Sequence, residues 1–271
     1  MKLATWAGGA LVALAALTTA TAQAGPQLPA VIGNCSSLAA TATNVLNFGH
    51  TVQVGSDEFL IVGAAWENAS NLDVSSITWN GTGLTKITGA TAELQNAGIY
   101  NESQLWYLKD PAQGVGTVSI TLSGTLGSAE GLIGTAVNLL GVTGVLASNN
   151  NGVLGTNTIA TKVASSSGAP VISISHNGTP GVVDTYTMTS TNEVTQTSLC
   201  VQLNVGDAST LGLGSITNNN NNATHTHKLD TVNYGDYVMS IASFVPVPEP
   251  TSLSLLAVGA SGLLLRRRKT A

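Results

Sequence analysis

Residues 58–66 read EFLIVGAAW. After Glu58 the stretch carries no charge and no polar alternation. A continuous apolar run of this length reads as a buried strand. Residues 117–123, TVSITLS, show the other strand pattern. They alternate, which predicts one buried and one wet face. Between the two lie Val74 to Trp79, short and half-alternating, and Gln104 to Leu108 (QLWYL), closed by Asp110-Pro111. Asn80-Gly81-Thr82-Gly83 is a turn into Leu84 to Thr88, a predicted hairpin. Leu132 to Leu140 is another apolar strand. The second half continues in kind: Thr158 to Val163, Val171 to Ser175, Val182 to Met188, Leu199 to Val205, His225 to Val232 and Tyr237 to Phe244. Residues 25–35 read as an extended leader. No helix is expected between residues 25 and 245. Turn clusters of Gly, Asn and Ser recur every ~8–15 residues, which favours an all-β, antiparallel β-sandwich, jelly-roll-like. One such domain over 25–245 is expected; a split into two at Asn149-Asn150-Asn151-Gly152 is the alternative.

The composition agrees. Only 8% of the 271 residues are charged, against about 25% in an ordinary soluble domain. Surface helices lean on charged helix formers, and this chain lacks them. Between residues 25 and 246 the cations are Lys86, Lys109, Lys162 and Lys228, against thirteen acids. A nucleic-acid partner needs a basic stripe, so that class is set aside.

The two ends differ from the middle. The first 25 residues run MKLATWAGGALVALAALTTATAQAG. Lys2, the apolar run Ala7 to Leu17 and the small-residue site Ala22-Gln23-Ala24 come in the order of a signal peptide, residues 1–24. At the other end, Pro248 and Pro250 hold the chain extended and present Glu249 on a stiff strip. Residues 251–265 are apolar and suit a transmembrane helix. Fifteen residues at ~1.5 Å each give about 22 Å, a marginal span against ~30 Å of hydrocarbon. Arg266, Arg267, Arg268 and Lys269 resist translocation and anchor the tail on the cytoplasmic side. Such a tail is a stop signal, parked in the membrane until something acts on it.

Val247-Pro248-Glu249-Pro250, the apolar stretch and the Arg/Lys cluster resemble the PEP-CTERM sorting domain of Gram-negative bacteria. The resemblance implies recognition by exosortase, a membrane cysteine protease-transpeptidase. Release or anchoring at the outer surface would follow. It also implies bacteria that make exopolysaccharide and grow in biofilms or flocs. A permanent single-pass anchor is the alternative. In the middle of the chain, ITWNGTGLTKI (77–87) and QLWYLKDPAQGVGTVSITLSG (104–124) resemble β-sandwich modules of secreted bacterial surface proteins.

The remaining constellations are few. Cys35 and Cys200 are the only cysteines, and in an exported protein they point to a disulfide. It would close a long loop, contributing up to about 5 kcal/mol in the chain-entropy model. His225 and His227 fall on one side of a strand. Spacing places no third or fourth ligand, so no metal and no cofactor is assigned. There is no G-x-S-x-G, no H-E-x-x-H and no phosphate-cradling loop, so no catalytic residue is assigned. Trp66, Trp79, Trp106 and Tyr107 sit inside apolar strands and are expected in the core. The resulting expectation is a non-enzymatic protein of the cell surface or extracellular polysaccharide matrix, reached through an inner-membrane intermediate. A carbohydrate-binding module would need exposed aromatics. A secreted hydrolase would need a buried acid pair without a structural partner.

Overall fold

A computed structural model describes residues 30–247 except 57, 129, 167, 179–185, 192, 198–199, 204–207, 218–222 and 230–234. Every regular element among the described residues is a strand. In chain order they are β1 (Ala30–Thr41), β2 (Val45–Val52), β3 (Phe59–Asn68), β4 (Val74–Trp79), β5 (Thr82–Gly83), β6 (Thr85–Asn96), β7 (Ile99–Lys109), β8 (Gly114–Leu122) and β9 (Gly131–Leu140). There follow β10 (Val142–Thr156), β11 (Thr158–Val163), β12 (Pro170–Asn177), β13 (Tyr186–Thr191), β14 (Glu193–Thr197), β15 (Cys200–Leu203), β16 (Ala208–Thr217), β17 (Ala223–Leu229) and β18 (Gly235–Pro246). All pairings among them are antiparallel.

The described strands form four sheets. Sheet A runs β1-β9-β3-β7-β6 and sheet B runs β2-β8-β4-β5. Sheet C runs β10-β18-β12-β16-β14, with β15 on β16, and sheet D runs β11-β17-β13. The opening stretch shows how they stack. In β3, Leu60, Val62, Ala64 and Trp66 join Phe48, Ile77, Trp79 and Ile120 of sheet B in one core. The intervening Phe59, Ile61 and Ala65 join Ile172, Ile174, Ala242 and Phe244 of sheet C in another. Side chains alternate faces along a strand, so β3 is apolar throughout because both of its faces are covered. The same holds in sheet C. Val171 and Ile241 face Val163 and Ala223 of sheet D, while their neighbours Ile172 and Ala242 face sheet A. The layer order is therefore B–A–C–D. TVSITLS alternates because it falls within β8 and the adjoining Ser123, and β8 belongs to an outer layer.

The alternative boundary falls within a strand, and the predicted hairpin forms but is short. Asn149-Asn150-Asn151-Gly152 is no linker; it lies inside β10, paired with Ile241 to Val238 of β18. The hairpin at Asn80-Gly81 is real but short. Both turn residues have positive φ, 47° and 83°, as a type I′ turn requires. Only Thr78↔Gly83 and Trp79↔Thr82 pair across it. The chain then leaves sheet B, and β6 pairs with β7 in sheet A.

Candidate functional site

The C-terminal segment begins where the fold ends. β18 is buried along most of its length between β10 and β12. Its last residue, Pro246, pairs with Val142. Val247 N–H then donates to Gly141 O at 2.8 Å, at the junction of β9 and β10. The Val247-Pro248-Glu249-Pro250 stretch thus follows a core strand with no intervening linker. Pro248, Glu249, Pro250, the 251–265 stretch, Arg266, Arg267, Arg268 and Lys269 lie outside the described residues, as do Ala22 and Ala24. Among the described residues no helix is long and apolar enough to cross a membrane.

Cys35 sits half-buried on β1 against the core between sheets A and C. Cys200 opens β15, opposite Leu211 of β16; its side chain lies outside the described residues. β15 runs alongside β1, so the two cysteine-bearing strands are neighbours.

The buried polar groups fall into separate clusters. Glu102 on β7 pairs in register with Trp66 of β3 and Glu93 of β6. It is 2% exposed, and its Oε1 has no hydrogen-bond partner. Burial, then the charges of Glu93 and Asp73, push its carboxyl up to about 8, against the pull of Lys86 and a hydrogen bond from the Leu72 backbone. Asp73 shows the opposite shift. Burial pushes its carboxyl up, but hydrogen bonds from Gln104 and Lys86 and the Lys86 charge outweigh that, and it lies below its ordinary value. Glu58, ahead of β3, is also buried with neither carboxyl oxygen partnered. Burial and then Asp110 push it up to about 7. Glu58 and Glu102 do not form a pair: eight residues of strand separate Glu58 from Trp66, the partner of Glu102, or about 26 Å at the usual rise.

His50 and His227 are held toward the neutral form by burial. His50 Nδ1 lies 2.9 Å from Ser36 Oγ, and Nε2 lies 3.2 Å from Asn138 Oδ1. Asn138 Nδ2 donates to Thr51 O at 3.0 Å, which turns Oδ1 toward the ring. Nε2 therefore carries the proton and Nδ1 accepts from Ser36. Burial lowers the His50 pKa despite the Asn138 bond. His225 and His227 face one way, as their spacing predicts. Ser173 Oγ lies 2.6 Å from His225 Nδ1 and 3.0 Å from His227 Nε2, and Ser175 Oγ lies 2.6 Å from His227 Nδ1. Burial, then His225, push His227 down to about 3. Both rings are thus engaged by serines of β12. Among the described residues no group of three or more His, Cys, Asp or Glu could hold a metal.

Sequence reasoning placed the tryptophans in the core, and there they lie: Trp66, Trp79 and Trp106 are 0%, 1% and 8% exposed. Tyr107 is half-buried and stacks on Phe59 at 5.5 Å between ring centroids. The Glu102 cluster was missed. Its only sequence signal is a lone acid two residues before the apolar QLWYL run, on a strand that proves longer than expected.

Comparison with known proteins agrees with the C-terminal reading. Residues 246–269 match the family model described as the PEP-CTERM protein-sorting motif. The chain therefore carries a PEP-CTERM sorting signal, beginning at the last residue of β18. No curated protein and no solved structure matches the chain.

Proposed function

We propose that the protein is exported, held briefly in the inner membrane by its tail, and sorted by exosortase to the cell surface or the extracellular polysaccharide matrix, where its role is structural and non-enzymatic. The sorting motif at residues 246–269 carries this reading. Its position supports it: a recognition strip that starts one residue beyond a core strand holds the folded layers close to the bilayer until processing. The stacked sheets supply a layered all-β body with few charges, suited to a hydrated polysaccharide setting. A disulfide between Cys35 and Cys200 fits this compartment. It is supported by the adjacency of β1 and β15, and no described cysteine is free.

The carbohydrate-binding alternative needs exposed aromatics; Trp66, Trp79 and Trp106 are inside the core, and Tyr107 is half-buried. The hydrolase alternative draws on Glu102, whose carboxyl is 2% exposed and bonded to the Leu72 backbone, a placement that favours the non-enzymatic reading. The sorting reading is tested by the fate of a Glu249→Ala/Pro250→Ala variant, expected to accumulate unprocessed in the inner membrane.

A further inference from the structure

The described residues hold one salt bridge, between Lys86 and Asp73. Lys86 belongs to β6 in sheet A; Asp73 directly precedes β4 in sheet B. The pair therefore spans two packed sheets. Lys86 Nζ lies 3.0 Å from Asp73 Oδ1 and 3.3 Å from Oδ2. Gln104 Nε2 donates to the same Oδ1 at 2.5 Å, and Trp106 Nε1 donates to Gln104 Oε1 at 3.1 Å. The carboxyl is fixed from beneath by a buried residue, with the amine against it. Within reach of both oxygens, Nζ also faces Cγ, the carbon that joins them, and holding two reacting groups in contact is what favours an intramolecular step.

An ordinary ion pair leaves Glu102 unexplained. A buried carboxyl with an unpartnered oxygen is costly. This chain, with 8% charged residues, places one on β7 two residues before Gln104, hence on the same face as the residue that holds Asp73, and it interacts electrostatically with both Asp73 and Lys86. We propose that Lys86 and Asp73 join in an intramolecular isopeptide bond between sheets A and B, with Glu102 transferring the protons. Burial and the neighbouring acids favour the protonated form of the Glu102 carboxyl. It passes that proton to the Asp73 carboxylate, which makes Cγ electrophilic, and takes one from the Lys86 ammonium. Nζ attacks Cγ, the C–N bond forms, and the tetrahedral carbon loses one oxygen as water. Ammonium plus carboxylate becomes amide plus water, the charges cancel, and Glu102 regains its proton. No oxidant, nucleotide or metal is consumed. The Asp73 side chain is 62% exposed, which gives the water a path out.

Trypsin digestion of the purified full chain after disulfide reduction, followed by mass spectrometry, tests this. The bond makes Lys86 resistant to cleavage, so one peptide runs through Lys86 to Lys109, lighter by one water than its sequence mass. A further cut at Trp79 leaves its two halves joined. Lys86→Arg and Asp73→Ala restore the sequence mass. Glu102→Gln gives a protein with unchanged circular dichroism in which Lys86 is open to trypsin. Wild-type protein cleaved at Lys86, with both peptides at sequence mass, overturns the proposal, and this arm needs no variant to fold. A Glu102→Gln protein that cross-links as fast as wild type removes Glu102 from the reaction.

Discussion

Gly134 lies on β9 where sheet A meets sheet B. A Cβ built there would stand 2.6 Å from Phe48 Cε1, 2.7 Å from Ile120 Cδ1 and 3.0 Å from Leu46 Cδ2. All three neighbours are buried, so none is free to swing aside. Overpacking of this kind costs about 1–3 kcal/mol. Gly134→Ala should lower the denaturant midpoint accordingly, without changing the slope of the transition; an unchanged midpoint would mean the two sheets are not in such close contact there. The sequence showed the apolar run Leu132 to Leu140 but not why a glycine interrupts it, since the reason belongs to residues far away in the chain. The tryptophans were legible because each sits in an apolar strand. Glu58 and Glu102 were not, because an acid flanking an apolar run looks the same in sequence whether it is wet or buried.

At the scale of elements, β10 is the instructive strand. Its Asn149 and Asn151 side chains donate to Lys162 O and Ala160 O of β11 at 2.7 and 2.9 Å. Asn150, pointing the other way, donates to Gly89 O of β6 at 3.0 Å. The Asn run thus ties sheet C to sheet D on one face and to sheet A on the other. Asn favours turns because its side chain bonds nearby backbone. Here the same capacity is used across layers, so the run that offered an alternative domain boundary lies within a strand. Asn149→Ala with Asn151→Ala leaves two β11 carbonyls without these donors. The double variant should lose about 1–3 kcal/mol and exchange the β11 amides faster; equal exchange would show that the amides do not hold β11. β3, β4 and β11 were legible almost to the residue, because apolar runs bounded by turn residues mark their own ends. The β6–β7 hairpin was missed. Its turn places Ala97 at φ 48° ahead of Gly98 at 88°, and Ala is not a residue that signals a left-handed turn.

At the scale of the whole molecule, the all-β antiparallel class was legible from periodicity, but the B–A–C–D order was not, because layer order depends on which buried faces meet. Burying ionisable groups in four layers makes stability depend on pH in both directions. Glu58 and Glu102 titrate above the ordinary 4.5, at about 7 and 8. The folded state binds these protons more tightly, so stability falls as pH rises from 4.5 through 8. His50 and His227 titrate below 6.5, His227 at about 3. The folded state resists these protons, so stability falls as pH drops below 6.5. Tm should therefore be highest between 4.5 and 6.5 and decline on both sides; a Tm still rising from pH 6.5 to 8.5 would contradict the buried acids. The central claim is that the tail at 246–269 directs this layered body to the outside. It is tested most directly by fractionating cells that make the wild-type chain or the Glu249→Ala/Pro250→Ala variant, and by reading the C-terminus of each recovered form. The account predicts processed wild type at the surface or in the medium, without Arg266 to Lys269, and variant protein in the inner membrane with that cluster intact. Variant protein at the surface in normal amount and size would contradict it.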